Sequence, residues 1–245
     1  MTTVIDALTI KLTMNNTKRV ICTCDVGSTL DQRKRGPAFA WARLNPNEGI
    51  ESIQASACID KLVRRLALDI IEGYSVALGF EAPLFIPVPN DSHELSKGRE
   101  GDRDRAWASP IGGYVSALGI HQSAWILKRL YEKLQESLSP RCEFTLDSRR
   151  WPPHSNQPIL FCWEAFVSKE AHSSNHRKDA ATALHFFFKH EEHLEKENAI
   201  TAENPISLIG AAALWSGWTG DLEYLHKMTL VLKPSSSFEG KLNDI

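Results

Sequence analysis

Three short apolar runs, separated by segments with helical periodicity, constrain the fold of this chain more than any other feature. They cover residues 19–25, 74–80 and 159–167 and spell RVICTCD, YSVALGF and ILFCWEAFV. Short runs that are rich in β-branched and aromatic residues and bounded by turn residues predict buried strands. The first run opens into the turn sequence DVGST, and Pro83 stops the second. We therefore expect three buried strands.

Helical periodicity fills much of the chain between these strands. Apolar residues at positions 59, 62, 63, 66 and 70 predict a helix over 57–72, which Gly73 ends. Three more helices are predicted, over 110–138 (one amphipathic helix or a pair broken near Gly119), 176–197 and 204–218. The remaining segments are a strand over 38–44, a weaker strand over 48–54, a polar loop over 84–109, a helix or strand over 224–232 and a frayed tail from Lys233.

The order of these segments predicts an α/β fold, because strands and helices alternate before a helical extension. At 245 residues the chain fits one large domain, since single cores usually split only beyond roughly 250 residues. We expect one domain over 1–232, with its core over 19–189 and its extension over 199–232. A tail over 233–245 would follow.

Composition excludes several classes of protein. Hydrophobic residues make up 42% and charged residues 24% of the chain, as in soluble globular proteins. The longest weakly polar stretch, 208–218, is shorter than the ~18 apolar residues of a transmembrane helix. The N-terminus lacks the basic start and apolar core of a signal peptide, so we expect a cytoplasmic protein without a membrane partner. A formal charge of −2 leaves nucleic acid open as a partner, because a local basic groove is compatible with it.

Four acids stand in or beside predicted apolar elements: Asp25, Glu81, Glu164 and Asp179. A buried carboxylate is costly unless it is paired or bound to a cation. Mg²⁺ is one such cation, because it prefers oxygen ligands, and two ions roughly 3.5–4 Å apart can activate water at a phosphodiester. Two of the acids also have simpler explanations: Asp25 can cap the following turn, and Asp179 suits the first turn of a helix.

In this order the acidic motifs resemble the active site of the RNase H-like (retroviral-integrase-like) superfamily. They are CDVGST with its first-strand Asp, GFEAP with its fourth-strand Glu, CWEAF in the fifth strand and HRKDAATAL at the start of a helix. The stretch from His176 to Ala183 is similar to the last active-site helix of RuvC-type Holliday-junction resolvases. The EAP and DAxxA motifs look most like a bacterial family of predicted RNase H-fold nucleases. The resemblance covers residues 19–189.

The resemblance implies a mixed five-stranded sheet flanked by helices, and a nuclease that hydrolyses phosphodiester bonds with two Mg²⁺ or Mn²⁺ ions. By the same resemblance, Asp25 would bridge both ions, while Glu81 and Asp179 would hold one each. His176 would be a neighbouring ligand or would orient the attacking water. Glu164 is a further catalytic candidate in the fifth strand, where some relatives place their third acid and others place none.

Basic residues cluster near the expected site and suggest a surface for the phosphates of DNA or RNA. They are Arg33, Lys34 and Arg35 after the first strand, Lys97, Arg99, Arg103 and Arg105 in the long loop, Arg149 and Arg150, and Arg177 and Lys178 on the last helix. Trp107 or Trp151 would be available to stack a base. The alternative is that these are ordinary solvated charges, partly offset by neighbouring acids.

Two other functions fit parts of the sequence. The DVGST turn also matches the D-x-G-x-T phosphate loop of actin-like ATPases and sugar kinases, where glycine admits the phosphate and hydroxyl groups bind it. Such kinases usually need a second copy of the fold, which this chain lacks, but type III pantothenate kinases are short enough to be an alternative. A catalytically inactive binding module is the other. The sequence has no Walker loop, dinucleotide fingerprint, HExxH motif or nucleophile elbow.

Overall fold

Strands and helices alternate along most of the chain in the computed structural model, which describes residues 17–30, 38–102, 107–137, 141–155, 157–168 and 171–245. In this part of the chain the strands are β1 (Arg19–Asp25), β2 (Ala40–Leu44), β3 (Gln54–Ser56), β4 (Ser75–Glu81), β5 (Phe85–Pro87), β6 (Glu143–Thr145), β7 (Ile159–Ala165), β8 (Pro205–Ser207), β9 (Val231–Leu232) and β10 (Asn243–Asp244). The α-helices there are α1 (Ile59–Ile71), α2 (Pro110–Glu136), α3 (His176–His190) and α4 (Leu208–Ser216).

One mixed sheet joins most of these strands in the order β10-β3-β2-β1-β4-β7-β6, and β9 also pairs with β7. β2 is antiparallel to β1 and β3, whereas β4 is parallel to β1 and β7 is parallel to β4. β5 and β8 form a separate antiparallel pair. The prediction of an α/β fold with a mixed sheet flanked by helices is confirmed. The sheet has eight strands instead of five, because short strands are added at its edges.

Both faces of the sheet are covered by helices. Successive residues of a strand point to opposite faces. On one face, Cys22 packs in a cluster with Leu66 of α1 and Leu127 of α2, and we call this the α1/α2 face. On the other, Ile21 packs in a cluster with Phe187 of α3, and we call this the α3 face. Burial on both faces explains why the strand sequences are almost continuously apolar.

The third strand lies later in the chain than the predicted 48–54. Two short 3-10 turns, Pro46–Glu48 and Ile50–Ser52, occupy most of that segment. The side chain of Asn45 caps the first turn, and Gly49 between the turns has a φ of +81°, which interrupts an extended backbone. The strand therefore begins only at Gln54.

Helix α2 is continuous through Gly119, where a break was one of the two predictions. A Cβ atom on Gly119 would lie 2.3 Å from the Cβ of Ala82. The glycine therefore permits close packing of α2 on the segment after β4 and does not end the helix. None of the helices in the described part of the chain combines the length and the apolar character needed to cross a bilayer.

The C-terminal part differs from its prediction in two places. The helix predicted over 204–218 starts only at Leu208, because the preceding residues form β8 and Ser207 caps the helix. The expectation of a frayed tail over 233–245 is wrong. Phe238 is buried and its amide donates to Thr182 Oγ1 at 3.0 Å, and β10 pairs with β3.

Candidate functional site: a cleft at the end of the central strands

Asp25 and Glu81 lie side by side at the carboxyl ends of two central strands of the sheet. Each is the last residue of its strand, and the parallel register of β1 and β4 pairs the two positions. Paired residues on neighbouring strands project from the same face. This is the α3 face, since Ile21 and Ala77 occupy the same side of their strands as the two acids.

Helix α3 brings His176 and Asp179 to the same ends of these strands. Asn175 caps the helix, and its side-chain oxygen accepts hydrogen bonds from the amides of Arg177 and Lys178 at 3.0 and 3.3 Å. His176 is the first residue of the helix, and Asp179 follows three residues later. Residues with this spacing lie on one side of a helix, so both side chains approach the ends of the strands together.

The two strand-end acids open into a cleft of 470 Å³. It is lined by Asp25, Val26, Glu81, Ala82, Pro83, residues 109–112, Val115 and residues 165–167. Ser109 caps α2 by accepting a hydrogen bond from the amide of Gly112 at 3.0 Å. The positive end of the α2 dipole therefore lies at a cleft that also contains two carboxylates.

Asp25 is buried and is hydrogen-bonded to His176. The residue is 7% exposed, and its Oδ2 lies 2.7 Å from His176 Nδ1, which donates when Asp25 is ionised. Burial raises the pKa of Asp25, His176 opposes this rise, and the charge of Asp179 adds to it. The hydrogen bond to Asp25 raises the pKa of His176. The carboxylate is thus only partly compensated by a half-exposed imidazole.

Asp179 is fully buried and is held by the loop before α3. Its Oδ1 accepts a hydrogen bond from the amide of Ser173 at 2.7 Å. Its Oδ2 lies 2.8 Å from Nδ1 of His172, without hydrogen-bond geometry. His172 was not predicted as a site residue, because a histidine in a polar loop carries no periodic signal. The site therefore contains two neighbouring histidine–aspartate contacts.

The donor types suit magnesium, although the side chains do not surround one point. Mg²⁺ commonly uses one or two carboxylates together with water and phosphate oxygens. Asp25 and Glu81 provide two carboxylates to one cleft. Across the described ranges, no group of three or more His, Cys, Asp or Glu side chains is arranged to hold a metal ion. The arrangement fits a site built on Asp25 and Glu81, with Asp179 beside it.

The structure does not bring Glu164 into this cleft. The register of β4 and β7 pairs Glu164 with Phe80, so its side chain lies on the α1/α2 face, opposite to that of Glu81. Glu164 is 1% exposed and accepts hydrogen bonds from Arg99 at 2.7 and 2.8 Å. The carboxylate of Glu164 therefore forms an ion pair on the opposite face of the sheet from the other predicted acids.

The basic residues predicted to bind nucleic acid are only partly described. Arg33, Lys34, Arg35, Arg103 and Arg105 lie outside the described residues. Arg177 forms an ion pair with Asp244, and Lys178 Nζ lies 3.2 Å from a carboxylate oxygen of Glu239. The two cations at the start of α3 are therefore partly neutralised by the C-terminal segment.

Of the other residues expected at a nucleic-acid surface, two are buried and two form ion pairs at the surface. Arg99 is buried, and Arg149 and Arg150 pair with neighbouring acids at 2.8 and 2.6 Å. Trp151 is 4% exposed and packs in the core beside Phe161, which makes it unavailable to stack a base. The expectation was wrong for Arg99 and Trp151, because both are buried. It stays a prediction for Arg149 and Arg150, whose side chains are 74% and 38% exposed.

The DVGST turn is packed as the start of a hairpin. Ser28 accepts hydrogen bonds through its carbonyl from the amides of Ala38 and Phe39 at 2.8 and 2.9 Å. A Cβ atom on Gly27 would lie 2.4 Å from the carbonyl oxygen of Ala38. The close approach of two backbone segments therefore explains this glycine without a bound phosphate.

Comparison of the chain with protein-family models, with curated proteins and with solved structures finds no match in any of the three.

Proposed function

We propose that this chain is a nuclease of RNase H-like fold that hydrolyses phosphodiester bonds of DNA or RNA with two Mg²⁺ or Mn²⁺ ions. The observation that carries the proposal is the pairing of Asp25 with Glu81 at the ends of two parallel strands, in one cleft. The strand order β3-β2-β1-β4-β7 supports the fold assignment, because the resemblance implies a mixed sheet of five strands.

Asp25 and Glu81 are the residues that would hold the ions, with Asp179 next to them. Burial and the charge of Asp179 both disfavour a negative charge on Asp25, so a cation in the cleft would be bound favourably. When bound, such ions lower the pKa of water and neutralise charge on the phosphodiester. The electrostatics of the cleft thus favour binding of a cation, and disfavour binding of an anion without a cation beside it.

The other residues of the cleft would orient the acids and the substrate. His176 holds one oxygen of Asp25 and so fixes the direction of the other. The positive end of the α2 dipole would attract a substrate phosphate. Ile111 and Tyr114 at the start of α2 are 75% and 64% exposed and lie on one side of the helix. They offer an apolar surface to a sugar or base.

The experiment compares the wild-type protein with Asp25→Asn and with Asp221→Asn as a control. Asp221 is an exposed carboxylate that caps a turn outside the cleft. Binding of Mg²⁺ and Mn²⁺ is measured by calorimetry, and cleavage is measured on labelled single-stranded, duplex and branched DNA and RNA. Hydrolysis of ATP and phosphorylation of pantothenate are assayed in parallel.

We expect metal-dependent cleavage by the wild type and by Asp221→Asn, and neither cleavage nor tight metal binding by Asp25→Asn. Cleavage that survives in Asp25→Asn would overturn the assignment and would point to a contaminating nuclease. Phosphoryl transfer without cleavage would favour the kinase instead. Absence of every activity would favour a binding module.

A further inference from the structure

A buried ion cluster lies on the α1/α2 face at the end of β7. Its members, Glu164, Arg99 and Asp102, are each exposed by 4% or less. Arg99 donates to both oxygens of Glu164 at 2.7 and 2.8 Å, and to Asp102 at 2.9 and 3.1 Å. Burial alone would lower the pKa of Arg99, but the two acids outweigh it and raise the pKa. Burial raises the pKa of Glu164, whereas Arg99 opposes this rise. The bidentate geometry is that of an ionised carboxylate paired with a guanidinium.

This cluster is tied to the backbone that follows Glu81. The amide of Leu84 donates to Oε2 of Glu164 at 2.9 Å, and Arg99 also donates to the carbonyl of Phe85 at 3.2 Å. Leu84 is only three residues after Glu81, and the proline between them restricts the backbone. A change in the position of Leu84 is therefore transmitted to the end of β4.

The same segment is held from a second side by α2. Ala82 packs so closely on Gly119 that a Cβ atom on the glycine would lie 2.3 Å from the alanine Cβ. Because this contact and the hydrogen bond of Leu84 both restrain it, the backbone after Glu81 has little freedom to move. The carbonyl of Leu84 also accepts hydrogen bonds from the amides of Leu208 and Ile209 at 2.8 and 3.1 Å. Among these restraints, the hydrogen bond to Glu164 is the one that depends on a charged side chain.

We propose that Glu164 is a positioning residue, which fixes the direction of the Glu81 carboxylate through the backbone of Leu84. The inference rests on the proposed function, in which Glu81 is a metal ligand. It accounts for an acid in a buried strand that does not reach the cleft. It also assigns a purpose to the long loop after β4, because that loop supplies Arg99.

The test substitution is Glu164→Gln. A carboxamide has one acceptor oxygen where the carboxylate has two, so it cannot accept from both Arg99 nitrogens and from Leu84. Glu191→Gln is the matched control, because Glu191 also forms a buried bidentate pair with an arginine, at 2.7 and 3.0 Å from Arg19. Arg99→Lys is a milder second variant, which keeps the charge and loses the bidentate geometry.

Two measurements report on the position of the segment without requiring activity. The first is amide hydrogen exchange at Leu84, and the second is the ¹³C resonance of the Glu81 side-chain carboxyl group. We expect exchange at Leu84 to become at least tenfold faster, and the Glu81 resonance to shift, in Glu164→Gln and to a lesser degree in Arg99→Lys. Neither should change in Glu191→Gln.

Kinetics then separate positioning from general destabilisation. Misplacement of a reacting group by about 1 Å can cost on the order of 100-fold in rate. We expect Glu164→Gln to lower kcat by 10- to 100-fold, to weaken Mn²⁺ binding and to leave the KM for nucleic acid nearly unchanged. Glu191→Gln should retain the wild-type kcat for each folded molecule.

The inference is overturned if the Leu84 exchange rate and the Glu81 resonance are the same in Glu164→Gln as in Glu191→Gln. It is also overturned if both change while an active enzyme keeps its kcat and its Mn²⁺ affinity. Absence of cleavage by the wild type would instead count against the proposed function. The exchange rate and the resonance would still decide whether Glu164 positions Glu81. If Glu164→Gln does not fold, the same criteria apply to Arg99→Lys.

Discussion

Buried charges at the two ends of β1 differ in how completely they are compensated. At the start of the strand, Arg19 and Glu191 form a buried pair, and Trp151 donates to the same carboxylate at 2.9 Å. At the other end, about 20 Å away at 3.3 Å per residue, Asp25 has a half-exposed histidine as its partner and a second carboxylate, Asp179, nearby.

The difference separates stability from chemistry. A buried charge with several donors is satisfied, and removal of one member leaves its partner without compensation. Asp25 is buried almost as deeply as Glu191, but its charge is disfavoured by burial and by Asp179. A buried charge that is only partly compensated, with a shifted pKa, is typical of a binding or catalytic site. The other end has the properties of a structural anchor.

The largest predicted effect is the contrast between one substitution at each end of β1. Asp25→Asn should reduce cleavage by at least about 10³-fold while leaving the free energy of unfolding unchanged or slightly higher, because burial opposes the charge that it removes. Glu191→Gln should lower the free energy of unfolding by about 3–5 kcal/mol and leave the cleavage rate of the folded protein unchanged. Denaturant unfolding and single-turnover cleavage measure the two quantities. Loss of stability in Asp25→Asn with little loss of cleavage would reverse the comparison.

A second prediction perturbs the geometry of the cleft and not its charge. Gly119→Ala introduces a Cβ that would overlap Ala82, so we expect a loss of about 1–3 kcal/mol in stability and a lower kcat through displacement of Glu81. Gly113→Ala on the same helix is the control, because its nearest neighbour would be an ordinary 3.7 Å away. That variant should gain up to about 1 kcal/mol through helix propensity. Equal behaviour of the two variants would show that the close contact does not restrain the cleft.

The sequence predicted the centre of the sheet better than its edges. Residues 19–25 are buried on both faces, so their continuous apolar character marks β1 with its observed bounds. β9 and β10 have two residues each, which is too short for any periodicity, and they form through pairing with strands already in place. Short edge strands depend on tertiary contacts that a local pattern does not contain.

The candidate site shows the same limit for single residues. Asp25 and Glu164 carry the same signal, an acid in an apolar strand, but a strand repeats every two residues and its register decides which face each acid takes. Glu164 therefore meets Arg99, whereas Asp25 meets His176. His172 carries no signal in the sequence at all, because it reaches Asp179 through the conformation of a loop.

A smaller predicted effect concerns the dependence of stability on pH at the cleft. The bond to Asp25 raises the pKa of His176 above its usual 6.5, so the stabilisation is fully present below pH 6.5 and is lost as the pH rises through the raised value. His176→Gln should therefore lower Tm more at about pH 6 than at about pH 9. The change should be small, because a half-exposed pair is screened by water.

His185→Gln is a control of opposite sign for that measurement. Burial lowers the pKa of His185, so its neutral form is favoured in the fold and protonation destabilises the protein as the pH falls. Replacement of His185 should therefore lower Tm less at about pH 6 than at about pH 9. If both variants change Tm in the same direction with pH, the His176 effect arises from global charge and not from Asp25.

The smallest predicted effect concerns the C-terminal segment beside the cleft. Glu239 and Asp244 pair with Lys178 and Arg177, so replacement of both acids by their amides should release two cations for phosphate contacts. We expect binding of single-stranded DNA to tighten several-fold at low salt, with a log–log salt dependence steeper by about 1 for each released cation. The double variant Glu132→Gln/Asp221→Asn is the control, because it also removes two exposed acids that pair with cations, and both lie away from the cleft. An equal gain in that variant would mean that net charge alone attracts DNA. A gain confined to the C-terminal variant would place the path of the strand across the start of α3, next to Asp25.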